Sequence, residues 1–433
     1  MTTDSLAVVQ GPTQALAVIS LLQGTSEPNS TNHRQQANSV HFLIGDLCAG
    51  DQNAQLLETT RQILAACGFN TVIETTADDL LFYSGRISFA NYCERLHRKL
   101  KSNRYKKVYV CRRMALLNEA VLEVCEHSKK LCYGDSFGGL DNGIPSWCAP
   151  INSKGFRKID ECHAVAPFEE NFNGSLGCEI IAQGKDALKS TLSRAMSHFD
   201  QNFHRLKQYL PKDSGVCLLT TANLTESQAT RDLDCEIQYY LECLGSGEPL
   251  NPHLVYLVKG HPRQTKQQSK ILAEELRQQG LNADSDCWDT SLPTEMLLSS
   301  LRPVSIIPFL SSTGYCGRLL DPLIEVRYDK SPGSVLKKYI VPKTSNWHLL
   351  PEKLQALTML SSYPWTRCVK YTRFILNALL FRGISLRFPG REPERALQKL
   401  LKFEELQKSI INLSLIAMRS RERRLQYITD LAG

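Results

Sequence analysis

The fold is decided by the stretch Leu6-Ala7-Val8-Val9-Gln10-Gly11-Pro12-Thr13-Gln14-Ala15-Leu16-Ala17-Val18-Ile19-Ser20-Leu21-Leu22. It has a short apolar run, a break at Gly11-Pro12 and then a longer apolar segment. A short continuous apolar run is typical of a buried strand, and a Gly-Pro pair is a turn signal. The segment after the turn is long enough to form a helix. The stretch therefore predicts a strand, a tight turn and a helix, which together form the first unit of an α/β fold.

The same alternation continues through the first half of the chain. Apolar runs at 40–45, 70–73 and 107–111 predict strands, and helical patterns follow each of them. Strands that alternate with helices indicate a parallel sheet wrapped by helices. A stretch rich in Gly, Pro and Asn follows at 134–178, and then a predicted helix at 189–209.

Alternation resumes after Pro211-Lys212-Asp213-Ser214-Gly215, which has the composition of a linker. The second half has apolar strand patterns at 216–220, 253–258 and 304–309, separated by helical patterns. We therefore expect an α/β protein with two Rossmann-like domains that face a cleft, in a GT-B-like arrangement. The predicted boundaries are 1–212, 213–364 and a helical C-terminal extension at 365–433.

Composition narrows the range of functions. The chain has 433 residues, of which 42% are hydrophobic and 22% charged, and these are globular values. A net charge of +7 fits an anionic ligand but is too small for a typical nucleic-acid binder. The 15 cysteines include no Cys-x-x-Cys pair, which argues against a disulfide framework and a zinc site and favours reduced thiols.

The sequence also bears on location. Residues 1–27 lack the basic region of a signal peptide, and no apolar stretch approaches the roughly 18 residues of a membrane-spanning helix. We therefore expect a cytoplasmic protein. The amphipathic tail, with Ile410 and Leu415 opposite Arg419 and Arg423, is expected to pack on the core, and the alternative is peripheral contact with the inner face of a membrane.

The most informative motif is Val255-Tyr256-Leu257-Val258-Lys259-Gly260-His261-Pro262-Arg263, where an apolar strand runs into a basic loop. Ligands of open parallel sheets bind outside the carboxyl ends of the strands. There Lys259 and Arg263 would supply positive charge, His261 a hydrogen bond or a proton, and Pro262 a stiff backbone. The alternative is an ordinary solvated basic loop.

A second motif follows another apolar strand. Val304-Ser305-Ile306-Ile307-Pro308-Phe309-Leu310 leads into the hydroxyl cluster Ser311-Ser312-Thr313 and then Gly314. If a helix begins after this loop, the hydroxyls and the free amides of the helix would form a phosphate cradle. The alternative is a plain helix N-cap.

A third motif, Gly134-Asp135-Ser136-Phe137-Gly138, follows the short apolar stretch at 131–133. A glycine-flanked aspartate at a strand end is suited to general-base catalysis, because it can lie near a substrate hydroxyl. A simple turn is the alternative reading, and Asp141 competes for the same role.

Other patterns carry less information. Asp232-Leu233-Asp234 and Asp284-Ser285-Asp286 match the Asp-x-Asp triplet of metal-dependent sugar transferases, although loops are the expected reading. A basic run could meet an anionic polymer or lipid surface, but a solvated helix face is expected. Its members are Arg95, Arg98, Lys99, Lys101, Arg104, Lys106 and Lys107.

Taken in order, these motifs resemble those of the bacterial GT-B sialyltransferases, in particular the polysialyltransferase and lipooligosaccharide-sialyltransferase families. The Pro12 turn, the Lys259–Arg263 His-Pro motif and the Ser311–Thr313 cluster are similar to the motifs of these families. Thr220-Thr221 resembles the opening of their second domain, and Pro293-Thr294-Glu295 matches another recurring feature. The acidic-acidic-Gly motif is represented by Asp135 with a single carboxylate.

The resemblance implies an inverting, metal-independent sialyltransferase with no cofactor, which moves sialic acid from CMP-sialic acid to a glycan acceptor. It implies Asp135 as the base and His261 as the group that faces the CMP phosphate. The implied donor-binding residues are Thr220, Thr221, Lys259, Pro262, Arg263, Glu295, Ser311, Ser312 and Thr313.

Two alternatives remain open at the level of the sequence. One is a GT-B transferase with another donor, such as CMP-Kdo or a UDP-sugar. The other is a non-catalytic α/β protein that binds anionic glycans or nucleic acid. The partners we expect are a CMP-sugar and a glycan, without nucleic acid.

Overall fold

Both faces of the first strand, β1 (Ser5–Val9), are buried. Leu6 and Val8 point into one hydrophobic core, and Ala7 and Val9 point into another. A strand of a parallel sheet is covered by helices on both faces, so it must be apolar throughout rather than at alternate positions. This is why the opening stretch has an unbroken apolar run.

The structure is a computed structural model, and the statements below concern the residues that it describes. These are residues 5–24, 39–45, 51–100, 105–111, 116–133, 159–164, 179–182, 185–199, 203, 210, 215–226, 228–246, 249–262, 264, 266–285, 291–311, 313–321, 324–327 and 332–341.

The first sheet is parallel throughout. Besides β1, its strands are β2 (Val40–Ile44), β3 (Val72–Glu74), β4 (Lys107–Cys111), β5 (Lys129–Tyr133), β6 (Glu161–Ala164) and β7 (Glu179–Ala182). Their order across the sheet is β3-β2-β1-β4-β5-β6-β7. The helices of this half are α1 (Pro12–Gly24), α2 (Asp51–Ala66), α3 (Thr76–Tyr83), α4 (Phe89–Leu100), α5 (Leu116–Val124) and α6 (Lys185–His198).

The second sheet repeats the same plan. Its strands are β8 (Val216–Thr220), β9 (Val255–Lys259), β10 (Asn282–Asp284), β11 (Ser305–Pro308) and β12 (Glu325–Val326). They are parallel, in the order β10-β9-β8-β11-β12. The helices are α7 (Leu233–Ser246), α8 (Lys266–Gln278), α9 (Thr294–Leu301), α10 (Thr313–Leu320) and α11 (Pro332–Tyr339).

In both sheets the chain first moves outward to one side and then crosses to the other side of the first strand. This is the doubly wound order of Rossmann-like sheets, and it creates a switch point between β1 and β4 and another between β8 and β11. The expected α/β class and the pair of Rossmann-like sheets that a GT-B-like architecture requires are therefore confirmed.

Helix α6 connects the two halves. Leu188, Leu192 and Ala195 are fully buried on one of its faces, in a core that also holds side chains of both sheets. The helix packs on α1 and α2 of the first half and on α9 and α10 of the second. Both sheets lie in one compact unit, Met1–Tyr363.

The structure differs from the sequence prediction at several elements. Helix α6 ends at His198 rather than near residue 209, and β6, β7 and α3 were not predicted. The linker at 211–214 and the extension at 365–433 lie outside the described residues, and the three domain boundaries stay predictions. Within the described ranges, no helix combines the length and apolar character needed to cross a membrane.

Candidate functional site

The switch point of the second sheet brings together three of the strand ends singled out in the sequence. Thr220, the last residue of β8, lies opposite Lys259 on β9 and opposite Pro308 on β11. The backbone N–H of Phe309 donates to the carbonyl of Thr220 at 2.9 Å, which holds the end of β11 against β8. The predicted His-Pro loop and hydroxyl cluster therefore leave the sheet on either side of Thr220.

The loop after β8 does not offer its amides to a ligand. The N–H groups of Leu224 and Thr225 donate to the carboxylate of Glu236 at 3.2 and 2.8 Å, and the N–H of Ala222 donates to the hydroxyl of Tyr240 at 3.1 Å. In a dinucleotide-binding domain the amides that follow the first strand receive the phosphates. Here a carboxylate of the protein itself takes that place.

The loop between β11 and α10 has a different character. Leu310 has φ = 51°, a left-handed conformation that is an outlier for a bulky residue, and Ser311 follows it directly. The hydroxyls of Ser311 and Thr313 lie 2.7 Å apart, and the N–H of Thr313 donates to Ser311 Oγ at 3.3 Å. The strained turn therefore sets both hydroxyls at the start of α10.

Close packing fixes the position of α10 over the sheet. A Cβ atom on Gly317 would come within 2.3 Å of Ile306 Cδ1, so only glycine lets the helix approach β11 this closely. The first turn of any helix leaves N–H groups without intrahelical partners and carries a partial positive charge. At the edge of the sheet beside the switch point, such a turn is suited to an anion.

The side-chain hydroxyl of Thr220 lies in an unusual environment. It is only 3% exposed, and its Oγ1 has no hydrogen-bond partner among the described residues. A buried hydroxyl without a partner costs free energy, so such groups are uncommon and call for an explanation. A bound ligand at the switch point would supply the partner.

The His-Pro loop is tied down through its backbone. The N–H of His261 donates to Gln264 Oε1 at 3.1 Å, and the N–H of Gln264 donates to the carbonyl of His261 at 2.9 Å. Gly260 lies where a Cβ atom would be 2.8 Å from Ser269 Oγ of α8. His261 and Pro262 are half-buried. The turn around His261 is thus held against α8.

Lys259 and Glu295 lie beneath this edge rather than on its surface. They are 1% and 4% exposed. Burial raises the pKa of the Glu295 carboxyl above its ordinary value, while a hydrogen bond with Cys316 of α10 and the charge of Lys259 act in the opposite direction. The side chains of Glu295 and Lys259 therefore interact in the interior, and Glu295 also contacts α10 through Cys316.

Several predicted residues lie outside the described part of the chain. They are the candidate bases Asp135 and Asp141, and Arg263, Ser312 and Asp286. Strand β5 ends at Tyr133, whose hydroxyl donates to the carbonyl of Val8 in β1. The structure thus brings together Thr220, Thr221, Lys259, His261, Pro262, Glu295, Ser311 and Thr313, and it leaves the roles of all of them as predictions.

Two of the less informative sequence patterns, the triplet at Asp232 and the basic run at Arg95 and Lys99, are explained by contacts within the protein. Asp232 Oδ1 accepts from the N–H of Cys235 at 2.8 Å, as a helix-capping residue at the start of α7 does. Arg95 and Lys99 pair with Asp78 across α3 and α4, which fits a solvated helix face. Among the described residues, no cluster of His, Cys, Asp and Glu could hold a metal ion, and nine cysteines from Cys67 to Cys316 are free thiols.

Sequence reasoning missed Glu236 and Gln264. Glu236 is completely buried in the first turn of α7 and accepts from Gln264 Nε2 at 3.0 Å. One signal was available: Glu236 shares the apolar face of α7 with Tyr240, four residues later, and a charged residue on such a face needs partners.

No protein-family model and no curated protein sequence matches the chain. Among solved structures it is similar to UDP-GlcNAc 2-epimerase from Neisseria meningitidis bound to UDP-GlcNAc, at 11% identity over 76% of this chain and 81% of that chain, with a TM-score of 0.46. It is also similar to an α/β-galactoside α-2,3-sialyltransferase from Photobacterium phosphoreum, at 13% identity over 75% and 90%, with a TM-score of 0.43.

A third similar structure is the E. coli heptosyltransferase WaaC with ADP, at 14% identity over 76% of this chain and 91% of that chain, with a TM-score of 0.32. All three identities are below 25% and all three TM-scores are below 0.5, so neither a family nor a donor follows from them. The fold assignment rests on the strand order of the chain itself.

Proposed function

We propose that the chain is an inverting glycosyltransferase that takes its sugar from a nucleotide donor, with CMP-sialic acid as the donor and a glycan as the acceptor. The observation that carries this proposal is the left-handed turn at Leu310, which sets Ser311 and Thr313 at the start of α10 beside the switch point. A backbone outlier at the ligand edge of a Rossmann-like sheet is a mark of a functional loop.

The donor phosphate is proposed to lie between the first turn of α10 and Thr220. The amides of α10 and the hydroxyls of Ser311 and Thr313 would donate to its oxygens. Thr220 Oγ1, which has no partner within the described part of the chain, would gain one, and the buried Lys259 would add positive charge. Such a set of donors stabilises the charge of a leaving phosphate.

The reaction itself is a single displacement. The acceptor hydroxyl attacks the anomeric carbon as the bond to the nucleotide phosphate breaks, and the hydroxyl proton passes to Asp135. His261 would donate a hydrogen bond or a proton to the departing phosphate. The remaining donor-binding roles are those proposed for Thr221, Pro262, Arg263, Glu295 and Ser312. The proposed location is the cytoplasm, with peripheral contact at the inner face of the membrane as the alternative.

A donor panel tests this proposal. The protein is incubated with CMP-sialic acid, CMP-Kdo, UDP-sugars and ADP-heptose, each with and without a glycan mixture, and released nucleotide is measured. Release from CMP-sialic acid that rises with acceptor supports the full proposal. Release from another donor alone corrects the donor. Binding of glycan without any release overturns catalysis and favours the anionic-glycan-binding alternative.

The metal-free character of the reaction has its own test. Turnover is expected to be the same in EDTA and in added Mg²⁺ or Mn²⁺, because the proposed phosphate contacts are amides, hydroxyls and a lysine. Loss of turnover in EDTA that either metal restores would contradict this and would make Asp284 and Asp286 the residues to examine.

A further inference from the structure

The carboxylate of Glu236 lies at the junction of the two loops that frame Thr220. It is completely buried, and its two oxygens accept from four groups besides Gln264: the N–H of Leu224, the N–H and hydroxyl of Thr225, and the hydroxyl of Tyr240. Buried carboxylates require this degree of satisfaction, because an unpaired charge in the interior is strongly destabilising. Glu236 thereby holds the loop after β8 in one conformation.

Gln264 links Glu236 to the loop after β9 through hydrogen bonds. Its Nε2 donates to Glu236 Oε1 at 3.0 Å, and its Oε1 accepts from the N–H of His261 and from Thr221 Oγ1, each at 3.1 Å. The N–H of Thr221 in turn donates to the carbonyl of Lys259 at 3.0 Å. One amide side chain therefore joins the two loops, and it does so at the residues that flank the proposed phosphate.

The partners of Gln264 fix the orientation of its side-chain amide. Both oxygens of Glu236 accept from neighbouring N–H and hydroxyl groups, so the amide lies with Nε2 toward Glu236 and Oε1 toward His261 and Thr221. A reversed amide would place an acceptor against the carboxylate and a donor against the N–H of His261, which can only donate. The carboxylate of Glu236 thus fixes which end of the Gln264 amide faces the backbone N–H of His261.

From these contacts we infer that Glu236 and Gln264 are positioning residues, which act on the proposed donor phosphate through the backbone of His261 and the side chain of Thr221. This inference rests on the proposed function for its ligand, but the coupling between the loops does not. Catalysis at such a site depends on the angle at which the phosphate-facing groups are held, and small misplacements lower rates by large factors.

Hydrogen exchange of the unliganded protein tests the coupling without any substrate. Gln264→Ala should speed amide exchange in a peptide covering 260–264 and leave one covering 222–226 protected, because Glu236 still holds Leu224 and Thr225. Glu236→Gln should speed exchange in both peptides. Gln267→Ala, which changes an exposed glutamine three positions later in the first turn of α8, is the matched control and should change neither. Unchanged exchange at 260–264 in Gln264→Ala would overturn the inference.

Swapping the two side chains between positions 236 and 264 provides a second test by mutation. Gln264→Glu alone places two carboxylates together and should be the most damaging change. Adding Glu236→Gln restores one carboxylate–amide hydrogen bond and should recover part of the protection at 260–264. A double variant whose 260–264 peptide is no better protected from hydrogen exchange than in Gln264→Glu would contradict the pairing of residues 236 and 264. The control on the same helix is Glu242→Gln, whose carboxylate contacts Lys338 and Tyr339 instead.

Turnover then separates positioning from general stability. In Gln264→Ala, kcat for nucleotide release should fall about tenfold or more while KM changes little, when measured at a temperature well below the midpoint of thermal unfolding of the variant. A fall in the unfolding midpoint with normal kcat would make the network merely structural. If the wild type releases no nucleotide while the exchange results hold, the proposed function fails and the loop coupling stands.

Discussion

The hydroxyls of Thr59 and Ser291 lie 2.7 Å apart, although 232 positions separate them in the chain. Thr59 belongs to α2 of the first half, and Ser291 lies just before α9 of the second half. Both residues are buried. The contact joins the two Rossmann-like halves by a hydrogen bond from which water is excluded.

Removal of either hydroxyl should delete this hydrogen bond between the two halves. Thr59→Val and Ser291→Ala should each lower the free energy of unfolding by about 0.5 to 1.5 kcal/mol, and the double variant should cost little more than either single one. Chemical denaturation measures this coupling. Thr60→Val, which loses only a bond to Leu56 within α2, is the control and should add independently to Ser291→Ala.

Thr220→Val should separate binding from folding. Because Thr220 Oγ1 has no partner among the described residues, its replacement by a methyl group should leave thermal stability unchanged or raise it slightly. If the hydroxyl meets the donor phosphate, the Kd for CMP should rise by about fivefold, the value of one hydrogen bond of ~1 kcal/mol. Calorimetric titration that gives the wild-type Kd would remove Thr220 from the phosphate site.

Glu295→Gln should show a pH-dependent gain in stability. Burial raises the pKa of Glu295 above 4.5, so folding favours its neutral form. Its stabilising contribution is full below the unfolded pKa and is lost as the pH rises through the folded pKa. The glutamine should therefore melt at a higher temperature than the wild type at about pH 8 and at nearly the same temperature below about pH 4. A constant difference across this range would contradict burial as the cause.

The base assignment predicts a sharp difference between two aspartates. Asp135→Asn should lower kcat by a factor on the order of 10² to 10⁴ and leave CMP binding nearly intact, because the acceptor proton lies away from the nucleotide. Asp141→Asn should be close to wild type. Steady-state rates of nucleotide release decide between them, and the reverse result would move the base to Asp141. His261→Ala should weaken both turnover and CMP binding.

The sequence predicted the fold well where burial on both faces forces a continuous apolar run, as in β1, β4 and β8. It failed at β6, where Glu161-Cys162-His163-Ala164 forms a strand although three of its four residues are ionisable. Pairing with β5 and β7 decides this conformation, and no local pattern signals such distant partners. Helix α3 was missed for a related reason, since its buried Asp79 is satisfied by Thr75 and Tyr92.

The site was predictable to the extent that it lies at strand ends. Thr220, Lys259 and Ser311 could be named because an apolar run stops at or just before each of them. Strand order could not be read from the sequence, and only strand order places Thr220 at the centre of the three. Glu236 of α7 and Gln264 of the loop after β9 are 28 positions apart and meet only in the folded chain, so the spacing of residues along the sequence does not reveal their contact.

Helix α6 limits how this protein can be recombined with others. A chimaera that takes its first half from this chain and its second half from another protein of the same fold would keep Leu188, Leu192 and Ala195 but exchange the surfaces of α9 and α10 that contact this helix. The ligand preference of the second half could therefore be exchanged only if the recombination junction is moved upstream, so that α6 is taken together with the second half, or if its apolar face is redesigned for the new neighbours.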